Sequence, residues 1–145
     1  MTAIHLAVEQ CRSGRHQALV GRVESGWVVM GDPQVLAGYC LLLPDPVVGD
    51  LNELDLASRT VFSSDMARVG DVVKAVTGAA RINYAIFGNL EPALHAHVFP
   101  RFVDEPDGFR TSHPWSYDWS MADDFDGKVH AGLLSKIRAG LDAGI

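Results

Sequence analysis

Residues 90–101 read Leu-Glu-Pro-Ala-Leu-His-Ala-His-Val-Phe-Pro-Arg, an apolar run with two histidines two positions apart. Successive side chains of a β-strand point to opposite faces. Ala93, His95, His97 and Phe99 therefore share one face, and Leu94, Ala96 and Val98 share the other. The Leu/Ala/Val face reads as core. On the opposite face two imidazoles stand about 6.5–7 Å apart at Cα. The residues alone leave three readings open. The pair could be two hydrogen-bonded histidines on a half-exposed strand. It could be a metal pair needing a further ligand such as His113 or Asp104. It could be a nucleophile beside an anion-binding imidazole, since a neutral imidazole attacks and a protonated one pairs with anions near pH 7.

Working outward, "RINYAIFGN" reads as the preceding strand, joined to this one through Gly88-Asn89-Leu90-Glu91-Pro92. Before it, Phe62, Met66, Val69, Val73 and Val76 recur at steps of four and three, which predicts a helix from about Asp55 to Thr77 with Gly78 as its stop. "GYCLLLP", closed by Pro44-Asp45-Pro46, suits a buried central strand. "ALVGRVESGWVVMGD" predicts a hairpin turning at Glu24-Ser25-Gly26. Ile4, Val8 and Cys11 give a short N-terminal helix ending at Gly14. A last helix is expected from about Asp124 to Leu141, with acids at its start and a stripe of Val129, Leu133, Ile137 and Leu141. Strands come in adjacent groups, so the fold class is α+β with a mainly antiparallel five-stranded sheet, a long helix and a C-terminal helix.

The chain has 145 residues, 48% of them hydrophobic, a size that suits a single domain spanning 1–145. Its formal net charge of −6 argues against nucleic acid or an anionic membrane as a partner. No apolar run reaches a membrane span, and the first residues lack the basic start and apolar core of a signal peptide. A cytoplasmic location is expected. Cys11 and Cys40 form no Cys-x-x-Cys pair, and Cys40 reads as a buried thiol.

"GNLEPALHAHVFPRF" resembles the signature of the histidine triad family, a His-x-His-x-His run followed by apolar residues and often Pro-Arg, usually preceded by Gly-Gln. His95 stands at the middle histidine, His97 at the last, and Gly88-Asn89 at the Gly-Gln. Ala93 replaces the first histidine, as is common in one bacterial branch. Pro46 stands near a place where many members carry another histidine. The resemblance covers about residues 15–102 and leaves 103–145 as a C-terminal extension.

The resemblance implies cleavage at the α-phosphate of a nucleoside phosphate derivative, such as a dinucleoside polyphosphate, through a nucleotidyl-histidine. His95 would be the nucleophile, its second ring nitrogen held by the Ala93 carbonyl, and His97 would donate to a phosphate oxygen. Asn89 would help bind the phosphate, Asp32 would take the ribose hydroxyls, and Asn83 would add a polar contact. Outside the resemblance, the aromatic stretch "TSHPWSYDW", from the same chain or its dimer partner, is expected to close the site and place His113 or Trp115 near the leaving group. Arg101 would be a surface or dimer residue. No metal or cofactor is implied, the partner is the nucleotide substrate, and a homodimer is expected. The alternative is a nucleotide-binding regulatory protein with little or no turnover.

Overall fold

The computed structural model describes residues 1–144. Its elements run α1 (Ala3–Arg12), β1 (Leu19–Val23), β2 (Gly26–Met30), β3 (Cys40–Pro44), α2 (Leu56–Thr77), β4 (Arg81–Ala85), β5 (Ala96–Arg101) and α3 (Ala131–Ala143), with short 3-10 turns between. The five strands form one antiparallel sheet in the order β1-β2-β3-β5-β4, so the apolar run of β3 lies at its centre, as expected. Among the described residues no helix is long and apolar enough to cross a membrane.

The 22-residue α2 has its predicted ends. The Asp55 carboxylate accepts the Ser58 N–H at 2.8 Å, and Gly78 closes the helix at φ +73°. Its Phe62, Val69, Val72 and Val73 pack on Val28, Cys40, Leu42, Ala96 and Val98 of the sheet. The buried set includes Leu94, Ala96 and Val98, the face that alternation assigns to core. Asp65 is the polar exception on this helix. Its buried carboxylate accepts the Ser25 N–H and hydroxyl at 2.8 and 2.7 Å, tying α2 to the β1–β2 turn. After that turn Gly26 is required, since a Cβ there would sit 1.8 Å from the Leu43 carbonyl oxygen.

The opposite sheet face is covered only in part. Helix α1 lays Ile4, Val8 and Cys11 over Val29, Leu43 and Ala93. It is held there by Arg12, which pairs with Asp45, a carboxylate that also accepts from Trp27 Nε1 at 3.0 Å and Arg22 at 3.3 Å. Over β5 that face is covered not by a helix but by loop aromatics, Tyr39, Trp115 and Trp119, which bury Phe99.

The C-terminal helix begins at Ala131, seven residues later than expected. The Asp126 carboxylate accepts the N–H groups of Lys128 and Val129 at 2.8 and 3.1 Å, a local turn that competes with helix. The acids thus precede α3, and Val129 is 76% exposed. The buried face is Leu134, Ile137 and Leu141, with Leu133 only partly covered. Arg138 donates from Nε to the Val20 carbonyl, reaching the sheet edge. Accordingly, Ile137→Ala lowers the unfolding free energy by about 2–4 kcal/mol in chemical denaturation, and Val129→Ala changes it by less than about 0.5 kcal/mol.

Candidate active site

Residues directly opposite in neighbouring strands share a face. The register pairs Val29 with Leu41, Leu41 with His97, and His97 with Ala85. His97 therefore stands in the middle of the incompletely covered face. A hollow of about 410 Å³ lies to its β2–β3 side, under α1, lined by Ile4, Gln10, Arg15, His16, Asp32 and Leu41 among others. A groove of about 1010 Å³ lies to its β4 side, with His95, His97, Asn89, Phe87, His113 and Trp115 in its walls.

The two imidazoles are in contact, ring centroids 5.0 Å apart and planes at 68°. Each has one ring nitrogen engaged by the protein, and the partners differ in kind. His95 Nδ1 lies 2.8 Å from the Ala93 carbonyl oxygen. A carbonyl only accepts, so Nδ1 carries a proton, and in the neutral ring Nε2 keeps its lone pair. His97 Nδ1 lies 2.7 Å from the Tyr39 hydroxyl. Tyr39 is 2% exposed, and its hydroxyl has no other partner among the described residues. A buried hydroxyl proton left unpaired is costly, so Tyr39 donates to Nδ1 and His97 carries its proton on Nε2. A ring nitrogen with a free lone pair and an N–H donor thus stand side by side. Burial, and then the neighbouring His95, push the His97 pKa down to about 4, so His97 is neutral at pH 7.

The stretch 31–39 places Tyr39. Buried Gln34 donates to the carbonyls of Gly31 and Tyr39 at 2.7 and 2.8 Å and accepts the Gly38 N–H at 3.0 Å. Gly31 lies flat under the ring, where a Cβ would sit 2.1 Å from Tyr39 Cε2. Tyr39 stacks on Phe99 at 4.3 Å, and Phe99 stacks on His97 at 5.7 Å.

Arg101 corrects the expectation of a surface or dimer residue, being only 6% exposed. It pairs with Glu105 at 3.0 Å and donates to Asn83 Oδ1 and to the carbonyls of Ser112 and Phe109, at 2.7, 2.7 and 2.8 Å. Tyr117 closes the network by donating to Glu105 at 2.6 Å. Burial alone would raise the Glu105 carboxyl, but hydrogen bonds from Arg101, Tyr117 and the Phe102 N–H together outweigh it and hold it below the usual range. Arg101 thereby pins the loop whose next residues, His113 to Trp115, wall the groove.

Of the residues singled out from the sequence, His95, His97, Asn83, Asn89, His113 and Trp115 all line this groove. Trp115 meets His97 edge-on at 5.1 Å, and His113 and Asn89 are exposed at the rim. Asn83 is central in β4. Asp32 stands apart, in the hollow under α1, and its Oδ1 accepts the Phe125 N–H at 2.9 Å. Tyr39 and Phe87 were missed. Alternation places Tyr39 with Leu41 and Leu43, but only the β3–β5 register brings it to His97. Among the described residues no three His, Cys, Asp or Glu side chains converge as a metal site.

This architecture recurs in solved histidine triad proteins. One from Marinobacter aquaeolei VT8 superposes with a TM-score of 0.77 at 16% identity, covering 100% of this chain and 99% of that one. A hypothetical histidine triad nucleotide-binding protein from Sulfolobus tokodaii strain7 gives 0.74 at 16% identity, covering 95% and 92%. A histidine triad protein from Bradyrhizobium japonicum gives 0.73 at 21% identity, covering 88% and 94%. No protein-family model and no curated protein matches the chain. The fold is that of the histidine triad proteins.

The depressed His97 pKa sets a pH dependence. The unfolded chain binds a proton near pH 6.5 that the folded state resists until about pH 4. Unfolding free energy therefore falls as pH drops from about 6.5 to about 4. In denaturation series across that range, His97→Gln has a shallower slope, and His16, also lowered by burial, supplies part of what remains.

Proposed function

We propose that the chain is a histidine triad family member that cleaves nucleoside phosphate derivatives at the α-phosphate through a nucleotidyl-histidine. The observation that carries this reading is the unlike Nδ1 partners of the two imidazoles, a carbonyl for His95 and a buried hydroxyl for His97, which favour a bare His95 Nε2 beside a His97 Nε2–H. In the first step His95 Nε2 forms a bond to phosphorus, and the bond from phosphorus to the leaving group breaks. In the second, water attacks phosphorus, the phosphorus–nitrogen bond breaks, and His95 is regenerated. Charge develops on the non-bridging oxygens in both steps, and the preorganised His97 N–H meets it. The hydrogen bond from His95 Nδ1 to the Ala93 carbonyl stabilises the positive imidazole formed on attack. That support comes from main chain, so alanine at position 93 does not remove it.

The hollow under α1 suits the nucleoside. The free oxygen of Asp32 accepts from ribose hydroxyls there, and Ile4 and Leu41 offer apolar surface for a base. Asn89 adds an amide donor at the phosphate. Asn83, its carbonyl oxygen taken by Arg101, contributes through its remaining amide nitrogen. His113 protonates poor leaving groups. Two copies pair through α2 and the open β4 edge, where main-chain groups lack a neighbouring strand and Tyr84 is 42% exposed.

The test is a panel of adenosine and guanosine derivatives assayed for mononucleotide release. His95→Asn reduces turnover by at least about a thousandfold and keeps nucleotide affinity within about an order of magnitude. Retained turnover would refute the assignment. Tight nucleotide binding without release from any panel member would favour a regulatory protein. Light scattering at micromolar concentration gives about twice the 15.7 kDa chain mass, and a single-chain mass would remove the dimer.

A further inference from the structure

The hollow under α1 is apolar along Ile4, Val29 and Leu41 and polar where the chain leaves α1 for β1. There the Gln10 carbonyl accepts the N–H groups of both Arg15 and His16, at 2.8 and 3.2 Å, and the turn brings Gln10, Arg15 and His16 into one wall of the hollow. Local hydrogen bonds set what that wall offers. His16 Nδ1 accepts the Ala18 N–H at 3.1 Å. A backbone N–H only donates, so this nitrogen is bare. Burial lowers the His16 pKa, so the ring is neutral at pH 7 and carries its proton on Nε2. That Nε2–H has no partner among the described residues and reaches open space. Arg15 Nε donates to Ser13 Oγ at 3.0 Å, which leaves both terminal guanidinium nitrogens without a protein partner among the described residues. Neither His16 Nε2–H nor the Arg15 guanidinium can accept a hydrogen bond. Gln10 can turn its amide to suit a donor or an acceptor, so it does not discriminate.

Taking the proposed placement of the nucleoside under α1 as given, we infer that Arg15 and His16 read the base, and that the nucleotide this chain selects carries a 6-oxopurine, guanine or hypoxanthine, rather than adenine. Two donors on consecutive residues call for two neighbouring acceptors. Guanine presents O6 and N7 together on one edge, the pair that an arginine meets best. Adenine presents N7 beside an N6 amino group, which sets donor against donor. Pyrimidines have no N7. The ring lies on Ile4 and Leu41, Asp32 takes the ribose, and the O6/N7 edge meets the guanidinium and the imidazole N–H. The 2-amino group of guanine plays no part. A mismatched base strips water from donors and returns no acceptor. Because Arg15 is exposed, the preference for the 6-oxopurine is on the order of tenfold, toward the lower end of what a good bidentate contact gives.

Equilibrium titration with GMP, IMP, AMP and 7-deaza-GMP reads the base without requiring turnover. Wild type binds GMP and IMP within about threefold of each other and both at least about tenfold more tightly than AMP, and 7-deaza-GMP, which lacks the N7 acceptor, binds about fivefold more weakly than GMP. Arg15→Met keeps the alkyl stem at an exposed position and lowers the GMP-to-AMP ratio by at least about threefold, and adding His16→Phe brings it within about twofold of unity. A ratio is read because a variant that merely loosens the turn weakens every nucleotide together. Three results would overturn the inference and leave His95 chemistry standing: AMP bound as tightly as GMP by wild type, IMP behaving like AMP, or Arg15→Met weakening all four nucleotides by one factor, which would make Arg15 a phosphate contact. A 6-oxopurine preference without release of mononucleotide from any substrate would support the inference and refute the hydrolase reading. No binding of any of the four, with no release from the substrate panel, would overturn both.

Discussion

Two imidazoles in van der Waals contact cannot both be charged without mutual repulsion, and they are useful only if their free nitrogens differ. Everything around the site enforces that difference. A carbonyl beside His95 admits only an N–H, and a buried hydroxyl beside His97 has nowhere else to send its proton. The first partner is backbone and the second is a single side chain. The chain therefore spends its local structure on Tyr39: a glycine flat under the ring, a buried glutamine clamping the loop and Phe99 stacked on its face.

The fold makes this possible by treating the sheet's two faces differently. Helices α2 and α3 seal one face with aliphatic packing, which supplies most of the buried core. Helix α1 covers the other face only over β2 and β3, leaving β5 and β4 to an aromatic loop. That loop would hang over an open face without an anchor. Arg101 supplies it from inside the strand that bears His97, so the wall of the groove and the histidine pair are fixed to one element. The cost is a buried ion pair, tolerable because Tyr117, the Phe102 N–H and two loop carbonyls satisfy its remaining hydrogen-bonding capacity.

Alternation and helical period are local, and what they encode is legible in the sequence. The opposite faces of Leu94 and His95, the stripe of α2 with its Asp55 and Gly78 ends, and the central place of "GYCLLLP" all follow from side-chain spacing. What depends on non-local pairing is not. Tyr39 reaches His97 through a register 58 residues apart in sequence. Arg101 looks like a charged residue at a strand end until the loop folds back to meet it. The start of α3 differs because Asp126, a residue type that favours a helix N-terminus, instead accepts the N–H groups of Lys128 and Val129 in a separate turn ahead of the helix. Asp32 was placed beside the ribose from the resemblance. It lies on the same side of His97 as the hollow under α1, yet shares no wall with the histidine groove.

The central claim concerns protons, and proton positions are directly measurable. Two-bond proton–nitrogen correlation spectra of the imidazole side chains at pH 7 distinguish the two neutral tautomers from each other and from the imidazolium. The account predicts that His95 is the Nδ1–H tautomer with a bare Nε2, that His97 is the Nε2–H tautomer, and that in Tyr39→Phe the His97 pattern alone loses its single-tautomer character. Finding His95 protonated on Nε2, or His97 charged at neutral pH, would contradict it.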